Sequence, residues 1–460
     1  MQALVRRPNN QQNQVAGHVR ATDCYGFFNL LTSAELLDVV EEHLPEHSER
    51  LYPPTLTLSL FITQALSSDS SCQNTVNAYV VSRVFNGLAP CSTGTGAYCK
   101  ARKNLPLGLV CNLAKQTGRM IVERTPDAWH WRGRRVKLVD GTTVTMPDMP
   151  ENQALYPQQS TQKLGSGFPI ARLVGLICLG SGALLDAAMG RYNGKGSGEH
   201  ALFRQLIDTL ERGGVVLADR YYCSYWLISQ LVAKGVDVVF GQNGGRITDF
   251  RKGKRLGALD HIVEWKKPRV CPNWMSKEQH KQFPAVLSIR ETQVANKVLV
   301  TTILSPKEAS NIELSKVYKM RWHIELDLRN IKTTLGMETL HCMTPNMNEK
   351  EMWVFFLAYN LIRLLMCEAA MHAEVLPRQI SFKHTLQVWI AWNLYTLNAT
   401  ESELIHLLFV LIAEQRVGNR PSRLEPRAVK KRPKPYPRLI MPRIEARDEI
   451  RKYGHPKKLK

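Results

Sequence analysis

Three acids stand where the surrounding sequence favours apolar or neutral residues. In "VKLVDGTTV" Asp140 follows Val and Leu, and in "VVLADRYY" Asp219 closes a second short apolar run. A carboxylate at the end of a buried strand is costly unless it is paired or holds a cation. A turn-capping Asp accounts for either residue alone, and less well for both on strands of one sheet. The third acid is Glu325, in "YKMRWHIELDLRNIK" at positions 318–332, a stretch without Pro or Gly that reads as helix. At about 100° per residue, Tyr318, Arg321, Glu325 and Lys332 fall within about 60° of one another. Ile324, Leu328, Ile331 and Leu335 form an adjoining apolar stripe. Lys319, Asp327 and Arg329 point elsewhere and are expected only to be solvated. The same spacing also describes a solvent face laced with salt bridges.

The three acids together point to chemistry. Converging carboxylates without His or Cys suit hard divalent ions, here two Mg²⁺ or Mn²⁺. Two such ions about 3.5–4 Å apart activate a nucleophilic oxygen and stabilise a leaving oxygen in phosphoryl transfer. Cations and a phenol beside the third acid suit the phosphates of a DNA strand.

The acids must be positioned by a sheet and a helix, and the pattern supplies both. Residues 1–20 read as disordered, and 21–130 as helical ("SAELLDVVEEHL", "TLTLSLFITQAL", "TVNAYVVSRVF", "LGLVCNLAKQTGRMIV"), a candidate DNA-binding region or a plain scaffold. Within it "GTGAYCKARKNLP" is basic, with "GTGAYC" read as loop, and Arg102 and Lys103 are candidate DNA contacts. From 131 to 242 the order is strand, hairpin around Gly180-Ser181-Gly182, helix, strand, helix, strand, which suggests a mixed α/β sheet flanked by helices. Residues 243–304 read as a β-rich insertion. Residues 305–400 return to the core, with one helix over about 308–335 and apolar helices near 349–371 and 384–396. Residues 401–460 read as a helical end and a Pro-rich tail; its last 45 residues hold 16 Lys and Arg against 4 Asp and Glu, so it is expected to stay unfolded until bound.

Composition narrows the partner. The 460-residue chain carries a formal net charge of +21, which calls for a polyanion or a membrane surface. "MWVFFLAYNLIRLLM" is interrupted by Asn360 and Arg363, too short a clean apolar run to span a bilayer, and reads as a buried core helix. The N-terminal residues lack the apolar core of a signal peptide, so a cytoplasmic location and no membrane partner are expected. The ten cysteines form no CxxC pair, which argues against a zinc framework. "YNGKGSGE" fails the phosphate-loop pattern because Met189 stands where its first Gly belongs. Nucleic acid is left as the partner.

The helix matches Y, two residues, R, three, E, six, K without a gap, at Tyr318, Arg321, Glu325 and Lys332, with Trp322 and Ile324 in place. With "DGT" at Asp140 and "ADRYYCSYW" at Asp219, the chain resembles bacterial insertion-sequence transposases of the DDE type in the Y-R-E-K group (IS-four type), over about residues 130 to 400. That resemblance implies a ribonuclease-H-like core interrupted by an all-β insertion, with Asp140, Asp219 and Glu325 as ligands of two metal ions and Tyr318, Arg321 and Lys332 on phosphates. It implies a nucleoid-associated enzyme that binds double-stranded DNA, namely element ends and target. It further implies 3′-strand cleavage, strand transfer and a homodimer. The chain departs from the pattern in "NKVLVTTIL", which lacks the Trp used for hairpin opening; Trp265 and Trp274 lie earlier. A nuclease without strand transfer and a non-catalytic DNA-binding derivative are the rival expectations.

Overall fold

The computed structural model describes residues 51–395 except 68, 86 and 195, then 402–418 and 441–454. The expected disordered N-terminus, the helix at "SAELLDVVEEHL" and most of the tail lie outside these residues.

Among the described residues four helices come first: α1 (Pro54–Leu66), α2 (Cys72–Phe85), α3 (Gly96–Asn104) and α4 (Leu107–Glu123). "GTGAYC" is therefore not a loop throughout, because α3 starts at Gly96; Tyr98, fully buried, gives that segment an apolar anchor. α4 presents Leu109, Val110, Leu113, Ala114, Thr117 and Ile121 at helical spacing and buries them. Gly118 on the same face allows close approach to the sheet, since a Cβ there would collide with the Leu184 carbonyl.

The sheet is mixed. Its first five strands are β1 (Val136–Thr145), β2 (Ile170–Cys178), β3 (Leu184–Arg191), β4 (Val215–Ala218) and β5 (Asp237–Gly241). Between them lie α5 (Pro150–Leu155), α6 (Glu199–Leu206) and α7 (Tyr225–Ala233). The expected order of strand, hairpin, helix, strand, helix, strand is present. The hairpin turns at Gly182, whose φ of 79° favours glycine. β1, β4 and β5 run parallel, and the hairpin strands run antiparallel to β1.

The stretch after β5 contains β6 (Lys254–Gly257), β7 (Asp260–Lys266), α8 (Lys277–Gln282), β8 (Val286–Val294) and β9 (Lys297–Thr301). β9 pairs with β5, so these strands extend the sheet; the nine described strands run β3-β2-β1-β4-β5-β9-β8-β7-β6. Trp265 is core there, 3% exposed, with its indole N–H on Glu291 at 2.9 Å; Trp274 is 42% exposed under the Arg204 guanidinium.

The single helix expected over about 308–335 is broken into four pieces. α9 (Asn311–Lys319) begins with a Ser310–Glu313 capping box. A 3₁₀ turn (Met320–Trp322), α10 (His323–Arg329) and a π turn (Asn330–Thr334) follow. Such changes of winding alter the direction of successive side chains and recur at functional sites.

α11 (Pro345–His372) is long and apolar enough to cross a membrane, yet 89% of its apolar window is buried among the other elements. Its Asn360 explains the polar interruption: the side chain bonds Leu184 N and O and the Ala114 carbonyl, tying α11 to β3 and α4. α12 (Phe382–Tyr395) and α13 (Ser402–Ala413) pack beside it. The described part of the tail is folded: α14 (Arg443–Tyr453) starts with Arg443 bonded to Asp148 at 2.7 Å and stacked on Phe168. An ion pair and an aromatic face hold this piece where its composition alone suggested no structure.

Candidate active site

Parallel pairing of β1 and β4 sets Val136 beside Val215 and Leu138 beside Leu217. Carried two residues further, that register puts Asp140 beside Asp219. The strands' apolar residues are fixed by burial, Leu138, Val139, Leu217 and Ala218 all being 0% exposed. Both faces of the strands are buried, so a one-residue slip would exchange side chains between two differently packed faces, and the packing holds the two acids in register.

Each acid is locally tethered. The Gly141 amide donates to Asp140 Oδ1 at 2.8 Å, and the Tyr221 amide donates to Asp219 Oδ1 at 2.8 Å. Burial pushes the Asp140 carboxyl up to about 6; the Gly141 amide and Arg321 pull it down, while Asp219 and Glu199 push it further up.

The helical segments bring the other groups. Arg321 Nη2 donates to Glu325 Oε1 at 2.9 Å, and Arg321 Nη1 lies 3.7 Å from Asp140 Oδ2. One guanidinium thus bridges the first and third acids. The Tyr318 hydroxyl lies by Arg321 and Asp219 and sits over Gly241, where a Cβ would stand 2.6 Å away. Asp140, Asp219, Arg321, Glu325 and Tyr318 are therefore brought together. Lys332 is in the π turn and half-buried; its carbonyl accepts from the Glu338 amide at 3.2 Å, and its side chain makes no hydrogen bond or ion pair among the described residues.

Glu325 is held in place from behind. Asp327, expected to be solvated, is 0% exposed. It pairs with Arg363 of α11 and with both oxygens on Arg378 (2.8 and 2.7 Å). Arg378 also donates to the carbonyls of Leu179 and Cys178 at the end of β2. Lys319 and Arg329 are exposed as expected; only the Asp327 side is covered, by α11 and the segment after it.

Arg102 is corrected as a DNA contact. It is 7% exposed, donates to Gln64 Oε1 at 3.2 Å and stacks on Phe61 at 4.6 Å, so its charge is enclosed among the first helices. Lys103 is exposed, and its carbonyl accepts from buried Lys350.

One further acid was missed. Glu199, the first residue of α6, lays its carboxyl against Gly141 and accepts from the Tyr222 hydroxyl at 3.2 Å. A glutamate opening a helix is ordinary, so only the glycine after Asp140 offered a sign.

The donors are carboxylates throughout, which fits a hard divalent ion. Among the described residues no three His, Cys, Asp or Glu side chains stand together closely enough to hold an ion as placed, and Glu325 is turned to Arg321. Burial with two acids side by side nevertheless leaves Asp140 short of positive charge, the condition a cation relieves.

Residues 131–361 match the profile of the transposase DDE domain. The chain is similar to the transposase InsG of insertion sequence element IS4 from Escherichia coli K12, 28% identical over 351 residues, spanning 74% of this chain and 77% of InsG. It is also similar to InsZ of the same organism, provisionally named a transposase, 31% identical over 106 residues, spanning 23% of this chain and 34% of InsZ. The matched domain begins just before β1, includes all three acids and ends within α11. The chain belongs to the DDE transposases of the IS4 family.

Proposed function

We propose that this transposase cleaves the 3′ strand at each end of its element and joins the freed 3′-OH to target DNA. The observation that carries this is the parallel register of β1 and β4, which carried two residues past Leu138 and Leu217 sets Asp140 beside Asp219, with Glu325 joined to Asp140 through Arg321. The sheet is taken as a ribonuclease-H-like core. Asp140, Asp219 and Glu325 would hold two Mg²⁺ or Mn²⁺ ions, which when bound supply Lewis-acid stabilisation of the attacking and leaving oxygens.

In the first step a water oxygen bonds to phosphorus and the bond from phosphorus to the 3′ oxygen breaks, leaving a 3′-OH. In the second, that oxygen bonds to a target phosphorus as the target's own P–O bond breaks, so the number of phosphodiesters is kept. Arg321 offsets the crowded carboxylates and holds Glu325 toward Asp140. Tyr318 and Lys332 grip phosphate oxygens of the element end. Two ends cut together require two catalytic centres, hence a homodimer on double-stranded DNA.

The test is purified protein with a pre-cleaved element end, a plasmid and Mg²⁺. Joined product is expected. Cutting without joining would make the protein a nuclease, and a gel shift with neither would make it a binder. Reaction in EDTA at the full rate would remove the metal from the account.

A further inference from the structure

Glu199 reaches the catalytic pocket from an element that the three-acid scheme does not use. A glutamate at the start of a helix ordinarily serves its own first turn. Glu199 instead crosses to β1: a Cβ at Gly141 would stand 2.6 Å from Glu199 Oε1. Gly141 does not have a positive φ, so its missing side chain serves space and not backbone conformation. That space, directly after Asp140, is filled by a carboxylate.

The other oxygen is fixed from the Asp219 side. Tyr222, 0% exposed, donates from its hydroxyl to Glu199 Oε2 at 3.2 Å. Tyr222 lies in the turn that begins at Asp219, and its amide bonds the Asp219 carbonyl at 3.2 Å. His200, the next residue of α6, bonds the Tyr221 carbonyl at 2.6 Å and stacks on Tyr222. The start of α6 is therefore clamped to the Asp219 turn on one side and pressed on the Asp140 strand on the other. Asp140 feels the charge of both Asp219 and Glu199. Among the described residues Arg321 is the cation paired with this group of acids, and it serves Asp140 and Glu325; Asp219 and Glu199 form no ion pair. A fold that gathers four acids around a single paired cation gives up stability, which is expected at working sites.

We propose that Glu199 is a positioning carboxylate of the transposase centre: it locks the Asp140 strand to the Asp219 turn and adds its negative charge around the cation those two acids hold. This rests on the assignment of Asp140 and Asp219 as metal ligands. Glu199 acts from outside the direct ligands, as a fixed acceptor and a charge.

The experiment measures Mn²⁺ affinity of the full-length, DNA-free protein by electron paramagnetic resonance, with melting curves for every variant. Glu199→Gln is expected to lower affinity by about tenfold or more while keeping a cooperative melt. Glu199→Asp recovers part of it, and Asp208→Asn, an exposed acid of equal charge change, leaves it unchanged. If Asp140→Asn loses Mn²⁺ but Glu199→Gln stays within about twofold of wild type, Glu199 has only a packing role and the proposal is overturned. If Asp140→Asn also binds normally, the metal assignment falls and the proposal with it. Should Glu199→Gln not fold, Tyr222→Phe frees Oε2 while keeping every acid: a smaller loss of affinity supports the proposal, and unchanged affinity overturns it.

Discussion

Glu325 and Asp327 are two residues apart and have opposite surroundings. The Glu325 side chain is 34% exposed and turned to Arg321, whereas Asp327 is sealed between Arg363 and Arg378. Removing one member of a buried ion group leaves the others unpaired, at a cost of about 3–5 kcal/mol. Asp327→Ala should therefore lower the urea midpoint strongly. Glu325→Gln should change the unfolding free energy by less than about 1 kcal/mol, as expected for a half-exposed pair. Equal destabilisation in denaturant titrations would contradict this division between anchor and working acid.

Asp140 gives a pH signature to the metal-free protein. Its carboxyl is raised from 3.8 to about 6, chiefly by burial, with Asp219 and Glu199 adding to the shift. Below about pH 4 it is protonated in both folded and unfolded chains, and no penalty applies. Between about 4 and 6 the folded chain binds more protons, so stability falls as pH rises. Above about 6 the penalty is complete, about 3 kcal/mol. In EDTA, Asp140→Asn should melt above wild type at pH 8, with the gap closing by about pH 4. A variant less stable than wild type at pH 8 would show that the carboxylate is not strained.

Lys332 and Arg329 test whether the helix reads a phosphate or is merely basic. Both cations are free of ion pairs among the described residues, and they lie on different segments of the broken helix. Lys332→Ala should weaken element-end binding and reduce the salt slope by about one phosphate contact; Arg329→Ala, with equal charge change, should do little. Indistinguishable losses across two salt concentrations would mean bulk electrostatics only.

How much of this was legible follows from the residues themselves. Asp140 and Asp219 stood out because each interrupts an apolar run, and the strand order followed from the turns and helices between those runs. Glu325 was legible with Arg321 because their i, i+4 spacing survives into the broken helix. Asp327 was not, because a uniform helical wheel assigns directions but cannot see Arg363 and Arg378 arriving from 36 and 51 residues away. Arg102 sat in a basic run whose buried partners, Gln64 and Phe61, belong to another helix. The strands of 243–304 were visible singly. That they continue the edge of β5 depends on pairing between β5 and β9, which local sequence does not encode.

The central claim is that Asp140, Asp219 and Glu325 together perform phosphoryl transfer and are not needed for binding DNA. The most direct test puts Asp140→Asn, Asp219→Asn and Glu325→Gln through the joining assay with a pre-cleaved end, alongside end-DNA affinity. Each should abolish joined product while leaving affinity equal to wild type or higher, since a negative charge near phosphates is removed. Near-wild-type joining by any one of the three would contradict the account.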